Sequence, residues 1–256
     1  MSPESAGQES VNRPARPKFV IAIDGPAGAG KSTIASRLAK MLGYVNLESG
    51  AMYRALGLKA IEAGVAFTDA VSDGPALLAL AERSTIELEP APEGNRVLLD
   101  RRDVSARIRE RDVTDAASRV STHPEVREWM VRRQREMGAR GGVIMEGRDI
   151  GTVVFPHAEV KIFLDADSSV REGRRVNQHN AQADPHRAEQ LKQELRERDH
   201  RDTTRAAAPL QAAADAVHID SSALNIEEVI ARVAQIVEER LRTRESQLPH
   251  SSQNEA

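Results

Sequence analysis

The segment Gly25-Pro26-Ala27-Gly28-Ala29-Gly30-Lys31-Ser32 sets two glycines apart by four residues and follows the second with a lysine and a hydroxyl. It fits the G-x-x-x-x-G-K-[ST] pattern in the required setting, after the apolar stretch "FVIAID" and before a helical pattern. Glycines permit a tight concave turn whose backbone N–H groups point inward, and a helix beginning at Lys31 adds positive potential there. Such a cup holds a polyphosphate, read here as ATP. Lys31 is expected to reach the β and γ phosphates and Ser32 to ligate a bridging Mg²⁺, with Thr33 as an outer neighbour.

A phosphate loop names the donor and leaves the acceptor open, since switches, motors and kinases all use one. No N-K-x-D guanine-reading motif is present, and Glu146 and Asp165 end apolar stretches without deciding for an ATPase. Candidates for a second anion site lie further on. In "ESGAMYRALGLKA", Ser49 stands at a helix-cap position, and Tyr53 and Arg54 project from the first turns toward its start. Arg54 can fork two donors onto one phosphate. In "VIMEGRDIGTVVF", a buried strand runs into Arg148 and Asp149, at the edge where open α/β sheets bind ligands. Arg148 reads as a second clamp, and Asp149 as its orienter or a sugar ligand. In "KQELRERDHRDTTRAAAP", Arg198, Asp202 and Arg205 form one helical stripe beside Arg201. Guanidinium groups so close repel unless an anion neutralises them, as a lid over phosphates would provide. Arg171, Arg174 and Arg175 either touch the donor nucleotide or face solvent, and the solvent reading is preferred for Arg175. Each of these stretches taken alone also has a plain structural reading, as a surface ion pair or a solvated helix face.

These residues need a frame. Five apolar stretches read as strands: 19–24, 44–47, 142–146, 160–165 and 216–220. Most are separated by helical pattern, which predicts an α/β fold with a five-stranded parallel sheet flanked by helices. The strongest helix is "NIEEVIARVAQIVEERLR", with Ile226, Val229, Ile230, Val233, Ile236, Val237 and Leu241 at helical spacing behind the cap candidate Asn225. The stretch from 66 to about 112 differs, because "STIEL" and "NRVLLDRRDVS" alternate like antiparallel strands around the turn "EPAPEGN". It reads as an insertion. "EVREWMVRRQRE" reads as a solvated amphipathic helix rather than a nucleic-acid helix. Residues 1–17 and 244–256 are polar, lack periodicity and read as disordered tails, which leaves a single domain over 18–243.

Composition narrows the function classes. Lys and Arg total 36 against 39 acids, a net charge of −3, so no global field draws the chain to nucleic acid or anionic lipid. Aromatics are 3% and hydrophobics 40%, which implies an aliphatic interior. With no cysteine there is no disulfide, thiolate nucleophile or sulfur-ligated zinc, and a reducing cytoplasm is the expected compartment. No apolar run approaches a membrane span. A soluble, monomeric chain without membrane or nucleic-acid partners is expected.

Together, "IDGPAGAGKST", "LESGAMYRALGLKA", "DVSARIR", "VREWMVRRQR", "MEGRDIGTVVFPHAEVKIFLDA" and "RERDHRDTTRAAAPL" resemble the bacterial cytidylate kinases, of the nucleoside monophosphate kinase superfamily. The resemblance covers about 20–243. It implies a core, a lid at about 171–209 and a monophosphate-binding subdomain enlarged by the insertion. It also implies transfer of the ATP γ-phosphoryl group to CMP or dCMP. By motif, Ser49, Arg54, Arg148 and Arg198 would hold the acceptor phosphate, with Lys31, Arg148 and Arg198 acting in transfer. Ser118 and Arg127 would read the cytosine, Asp149 would touch the acceptor nucleotide, Asp202 and Arg205 its sugar, and Arg174 the donor. The family often has Asp before "SGA", where this chain has Glu48. A shikimate- or gluconate-type kinase, a non-catalytic ATP-binding regulator and, less strongly, an RNA-binding protein are the other readings.

Overall fold

The computed structural model of the chain describes residues 18–65, 73–91 and 94–247. Strands β1 (Val20–Asp24), β2 (Val45–Glu48), β6 (Val143–Gly147), β7 (Val160–Asp165) and β8 (Val217–Asp220) form one parallel sheet in the order β2-β6-β1-β7-β8. Side chains alternate across β1: Ile21 and Ile23 join one core, and Ala22 joins the other. Helices α1 (Lys31–Leu42) and α8 (Ile226–Gln247) cover the first face through Ile34, Leu38, Val233 and Val237. The second face meets α5 (Pro124–Gly138) and a π-helical turn at Ile150–Val154.

A second layer of helices extends from that face. α2 (Ser49–Glu62), α3 (Gly74–Glu82), α4 (Arg111–Val120) and α5 enclose a core of Met52, Leu56, Leu77, Val113 and Met130. This core also takes in Ile86 of β3 (Ile86–Ala91) and Val97 of β4 (Gly94–Leu99). Strands β3, β4 and β5 (Arg102–Asp103) form a separate antiparallel sheet. Finally α6 (Ser168–Gln178) packs on α7 (Pro185–Thr204) around Val176 and Leu191.

Several details differ from the sequence reading. Of residues 89–95, read as a turn, 89–91 and 94–95 belong to the ladder, with Glu89 opposite Arg96, Pro90 opposite Asn95 and Ala91 opposite Gly94. Pro90 is tolerated because β3 is an edge strand. The stretch read as one strand from 95 onward is two, β4 and β5, joined through Asp100 and Arg101, whose φ values are 50° and 67°. Positive φ at both central residues is what a type I′ hairpin turn needs. Helix α3, capped by Asp73 Oδ1 accepting from Ala76 N at 3.1 Å, lies in the insertion ahead of the stretches read as strands. The helix behind Asn225 forms with a reciprocal cap: Asn225 Oδ1 accepts from Glu228 N at 3.0 Å and Glu228 Oε2 from Asn225 N at 2.8 Å. Its Ile226 is exposed, one turn before the buried stripe begins. Residues 244–247, assigned to a tail, are the end of α8. Residues 1–17, 66–72, 92–93 and 248–256 lie outside the described residues.

The connections leaving β1 and β6 run to opposite sides of the sheet, which opens a crevice at their carboxyl ends. The phosphate loop follows β1 there, and its first glycine is forced. Gly25 has φ 148°, and a Cβ on it would stand 1.9 Å from the Leu164 carbonyl oxygen of β7. Gly25→Ala is therefore expected to lower the unfolding free energy by at least about 2 kcal/mol, through overpacking against a backbone that cannot yield. Urea denaturation followed by circular dichroism checks this.

Candidate active site

The loop's curvature is made by Gly25, Gly28 and Gly30, with φ of 148°, 77° and 96°. α1 starts at Lys31 behind Gly30, so its unpaired N–H groups face the crevice. Pro26, Ala27 and Ala29 complete the turn between them. Lys31 is buried, and its ammonium donates to the Pro26 carbonyl at 2.7 Å. Burial, and next the charge of Arg148, pull its pKa down to about 7. A phosphate at this point would remove that penalty. Ser32 Oγ donates to Glu146 Oε1 at 3.0 Å, and Thr33 is exposed beyond it.

Across the crevice stand residues from three other elements. Ser49 is the first residue of α2, and Glu48 occupies the cap position. The Ser49 hydroxyl does not cap the helix as expected; it donates to the Glu146 carbonyl at 2.7 Å and ties α2 to the end of β6. Arg54 lies 3.5 Å from Glu48, with Nη2 facing Oε2. Burial raises the Glu48 pKa, with Glu146 adding to the effect and Arg54 opposing it. The longer acid thus serves as Arg54's counterion.

Arg148 leaves β6 and donates from Nε to Asp202 Oδ2 at 2.7 Å. Asp202 is therefore its orienter, not Asp149 as the sequence suggested, because α7 folds back over the strand end. Burial works against the Asp202 charge, but Arg148 and Arg198 hold its pKa below the usual carboxylate range. Arg198, one turn earlier on α7, has its pKa brought down to about 10 by burial and by Arg148. The Nε atoms of Arg54 and Arg198 are buried without a hydrogen-bond partner among the described residues. Unmet buried donors of this kind are rare and call for an acceptor.

Arg175 belongs to the same group. The preference for solvent was mistaken: it is half-buried, its pKa is lowered by burial, and Arg54 and Arg187 act on it. A guanidinium on a helix surface looks the same in sequence whether it faces water or another helix. Arg174 donates to Ser221 O at 2.7 Å, Ser221 Oγ at 3.1 Å and Ala29 O at 3.5 Å, bracing the loop against the segment after β8.

A second cluster lies deeper. Arg127 and Asp149, each about nine-tenths buried or more, form a close ion pair. Arg127 also donates to Ser121 O at 3.2 Å, and its guanidinium lies 5.7 Å from the centre of the Tyr53 ring. Burial lifts the Tyr53 pKa to about 12, so the ring stays neutral. Arg205 reaches Asp149 at 3.6 Å and Asp202 at 3.9 Å, which links the two clusters. Ser118 Oγ accepts from Arg201 Nε at 3.0 Å, so Arg201, read from its spacing as only adjoining the stripe, takes part.

Two contributors escaped the sequence reading. Asp199 of α7 accepts from the Ala27 amide at 3.2 Å and pairs closely with Arg171, which donates to Ala27 O at 3.1 Å. Asp24, the last residue of β1, accepts from Ile150 N at 2.8 Å and Gly151 N at 2.7 Å. Burial raises its pKa to about 6 against the pull of those two amides. An acid closing an apolar strand was the available signal. A cavity of about 200 Å³ at the opposite end of the sheet, lined by Glu159, Lys161, Asp215 and Arg240, is remote from this chemistry. Its lysine is already held by Asp215 at 2.8 Å.

The arrangement can hold two anions, one in the loop and one among Arg54, Arg148, Arg175 and Arg198, on either side of Lys31. Ser32 and Glu146 offer neighbouring oxygen donors that suit a hard divalent cation. No group of three metal-holding side chains occurs among the described residues, so most ligands of such an ion would come from phosphate and water.

Comparison with known proteins agrees with this chemistry. The family described as cytidylate kinase matches residues 21–239. Cytidylate kinases of Geobacillus kaustophilus and Anoxybacillus flavithermus are each 50% identical over 224 residues, spanning 88% of this chain and 98% of theirs. That of Solibacter usitatus is 48% identical over 226 residues, 88% of this chain and 94% of the relative.

The Arg127–Asp149 pair sets a testable cost. Arg127→Met leaves a buried carboxylate short of its main partner and is expected to destabilise the fold by about 3–5 kcal/mol. Combined with Asp149→Asn in a double-mutant cycle, the two changes should couple by about 1–3 kcal/mol, read from urea denaturation.

Proposed function

The chain belongs to the cytidylate kinase family, and on that premise we propose that it transfers the γ-phosphoryl group of ATP to the phosphate of CMP or dCMP, giving ADP and the corresponding diphosphate. The observation that carries the reading is the pair of buried, unpartnered Nε donors on Arg54 and Arg198, two guanidinium groups that act on each other's charge, Arg198 also acting on Lys31. A monophosphate, with up to two charges and three terminal oxygens, meets more of these donors than the single carboxylate of a shikimate-type acceptor would.

Gly25 through Thr33 hold the triphosphate, and Arg174 keeps the loop in place beneath it. Ser49, Arg54, Arg148 and Arg198 hold the acceptor phosphate, with Arg175 added by its position. Ser118 and Arg127 read the cytosine, Asp149 and Tyr53 fix Arg127, and Asp202 and Arg205 contact the sugar side. The acceptor oxygen is already anionic, so no general base is needed. It forms a bond to the γ-phosphorus while the bond from that phosphorus to the bridging oxygen of ADP breaks. Lys31, Arg148 and Arg198 neutralise the charge that develops between the reactants. Ser32 and Glu146 would hold Mg²⁺, which would supply further neutralisation of the triphosphate. The lid, at about 171–209, excludes water once both sites fill. In this proposal the working unit is a monomer acting on free nucleotides in the cytoplasm. Among the described residues, no helix is long and apolar enough to cross a membrane.

A coupled assay with ATP and each of CMP, dCMP, UMP, AMP and shikimate tests the proposal. CMP and dCMP are expected to give the highest kcat/KM, and turnover of shikimate alone would overturn it. Lys31→Ala is expected to lower kcat about a hundredfold or more with the far-UV spectrum unchanged. Base selection rests on single hydrogen bonds worth about 1–1.5 kcal/mol each. Ser118→Ala is accordingly expected to narrow the CMP to UMP ratio of kcat/KM by about five- to tenfold. An equal fall for both substrates would place Ser118 outside base recognition.

A further inference from the structure

Asp24 takes no part in the scheme above, yet it is a carboxylate only 4% exposed in the middle strand of the sheet. Burying such a group is costly unless each oxygen finds a donor. Both do, and both donors are backbone: Oδ1 takes the Ile150 amide at 2.8 Å and Oδ2 the Gly151 amide at 2.7 Å. These amides open the π-helical turn at Ile150–Val154, whose later N–H groups, on Val153 and Val154, return to the Asp149 carbonyl. The first N–H groups of a helical turn have no partner within it. Asp24 therefore caps this turn from another strand.

The location of the cap gives it a consequence. On one side Asp24 continues directly into Gly25 and the phosphate loop. On the other, the amides it grips follow directly after Arg148 and Asp149. Arg148 and Asp149 are thus fixed at both ends, by the β1–β6 ladder at Gly147, opposite Asp24, and by the Asp24 carboxylate just beyond them. No other side chain among the described residues accepts from those two amides.

We infer that Asp24 is a positioning residue that sets the spacing between the donor loop and the acceptor-side Arg148–Asp149 segment. This rests on the phosphoryl-transfer reading above. In-line transfer depends on the separation of the two reactants, and displacement by about 1 Å can cost about a hundredfold in rate. Each half-site, however, is built from its own loop or its own arginines. Loosening the tie should spoil their mutual alignment while leaving each half able to bind.

Asp24→Asn keeps the shape and turns one acceptor into a donor facing an N–H. At pH 8, with ATP and CMP saturating, its kcat is expected to fall at least about tenfold. By calorimetry, the Kd of an inert triphosphate analogue alone and the Kd of CMP alone are expected to stay within about threefold of wild type. A kcat above a tenth of the wild-type value overturns the inference. So does a larger loss in either Kd, which would mean that Asp24 maintains a half-site rather than the distance between them. Gly151→Ala approaches from the other side: its Cβ would lie 3.3 Å from Asp24 Oδ2, at a backbone conformation open to alanine. It is expected to show the same pattern, and it decides the question if Asp24→Asn does not fold. Wild-type protein that fails to turn over CMP would sink the transfer reading itself, and would do so before any variant is compared.

Discussion

Guanidinium groups repel one another, and the site depends on holding several of them together. Lys31, Arg54, Arg148, Arg175 and Arg198 lie within one another's fields in a region largely shielded from water, where charges interact far more strongly than at the surface. Glu48, Glu146, Glu194, Asp199 and Asp202 are the nearby carboxylates, and with Arg109 and Arg187 also in reach the cations still outnumber them. Burial first, and the neighbouring Arg148 charge next, pull Lys31 to about 7 and Arg198 to about 10. The fold tolerates this because rigid elements carry the charges: α1 on the sheet, α2 on its own core, and α7 on α6.

The carboxylates do more than offset charge; they determine which guanidinium is fixed and which is free. Asp202 fixes Arg148, and Asp149 fixes Arg127 while Arg205 bridges both acids. Arg54 and Arg198 keep Nε donors unused. Arg148 and Arg127 are held in one orientation, and the unused Nε donors of Arg54 and Arg198 retain the capacity to bind. Asp199 extends the same logic to the donor side, since it ties α7 and Arg171 to the Ala27 amide of the loop. The helix carrying Arg198 and Asp202 is thereby registered to the phosphate loop itself.

Most of the frame was legible in the sequence. Short Val- and Ile-rich runs between helical periodicities gave all five parallel strands, because a strand buried on both faces has little other composition open to it. The loop was legible because its glycines answer to backbone constraints that few other sequences satisfy. The hairpin region was read less well. Pro90 and Gly94 look like turn residues but are paired in β3 and β4, and a further turn, at Asp100–Arg101, carries no glycine. Pairing among charged residues was the least legible of all. Asp202 rather than Asp149 orients Arg148, Arg175 faces inward, and Asp24 reaches across to β6, each decided by tertiary approach between residues far apart in the chain. Local spacing carries no trace of such contacts.

On the proposed reading, the surplus charge also favours a phosphate acceptor over water. A monophosphate would bring negative charge to Arg54 and Arg198 and give their unused donors acceptors, relieving the repulsion among the gathered arginines. Water brings no charge. With water in the acceptor position the repulsion among Arg54, Arg148, Arg175 and Arg198 would stand uncompensated, in a medium where each pair costs more than in solvent. An anionic acceptor thus stabilises the assembled site and water does not. The electrostatics of the arginines and the lid would then act together to protect ATP from hydrolysis.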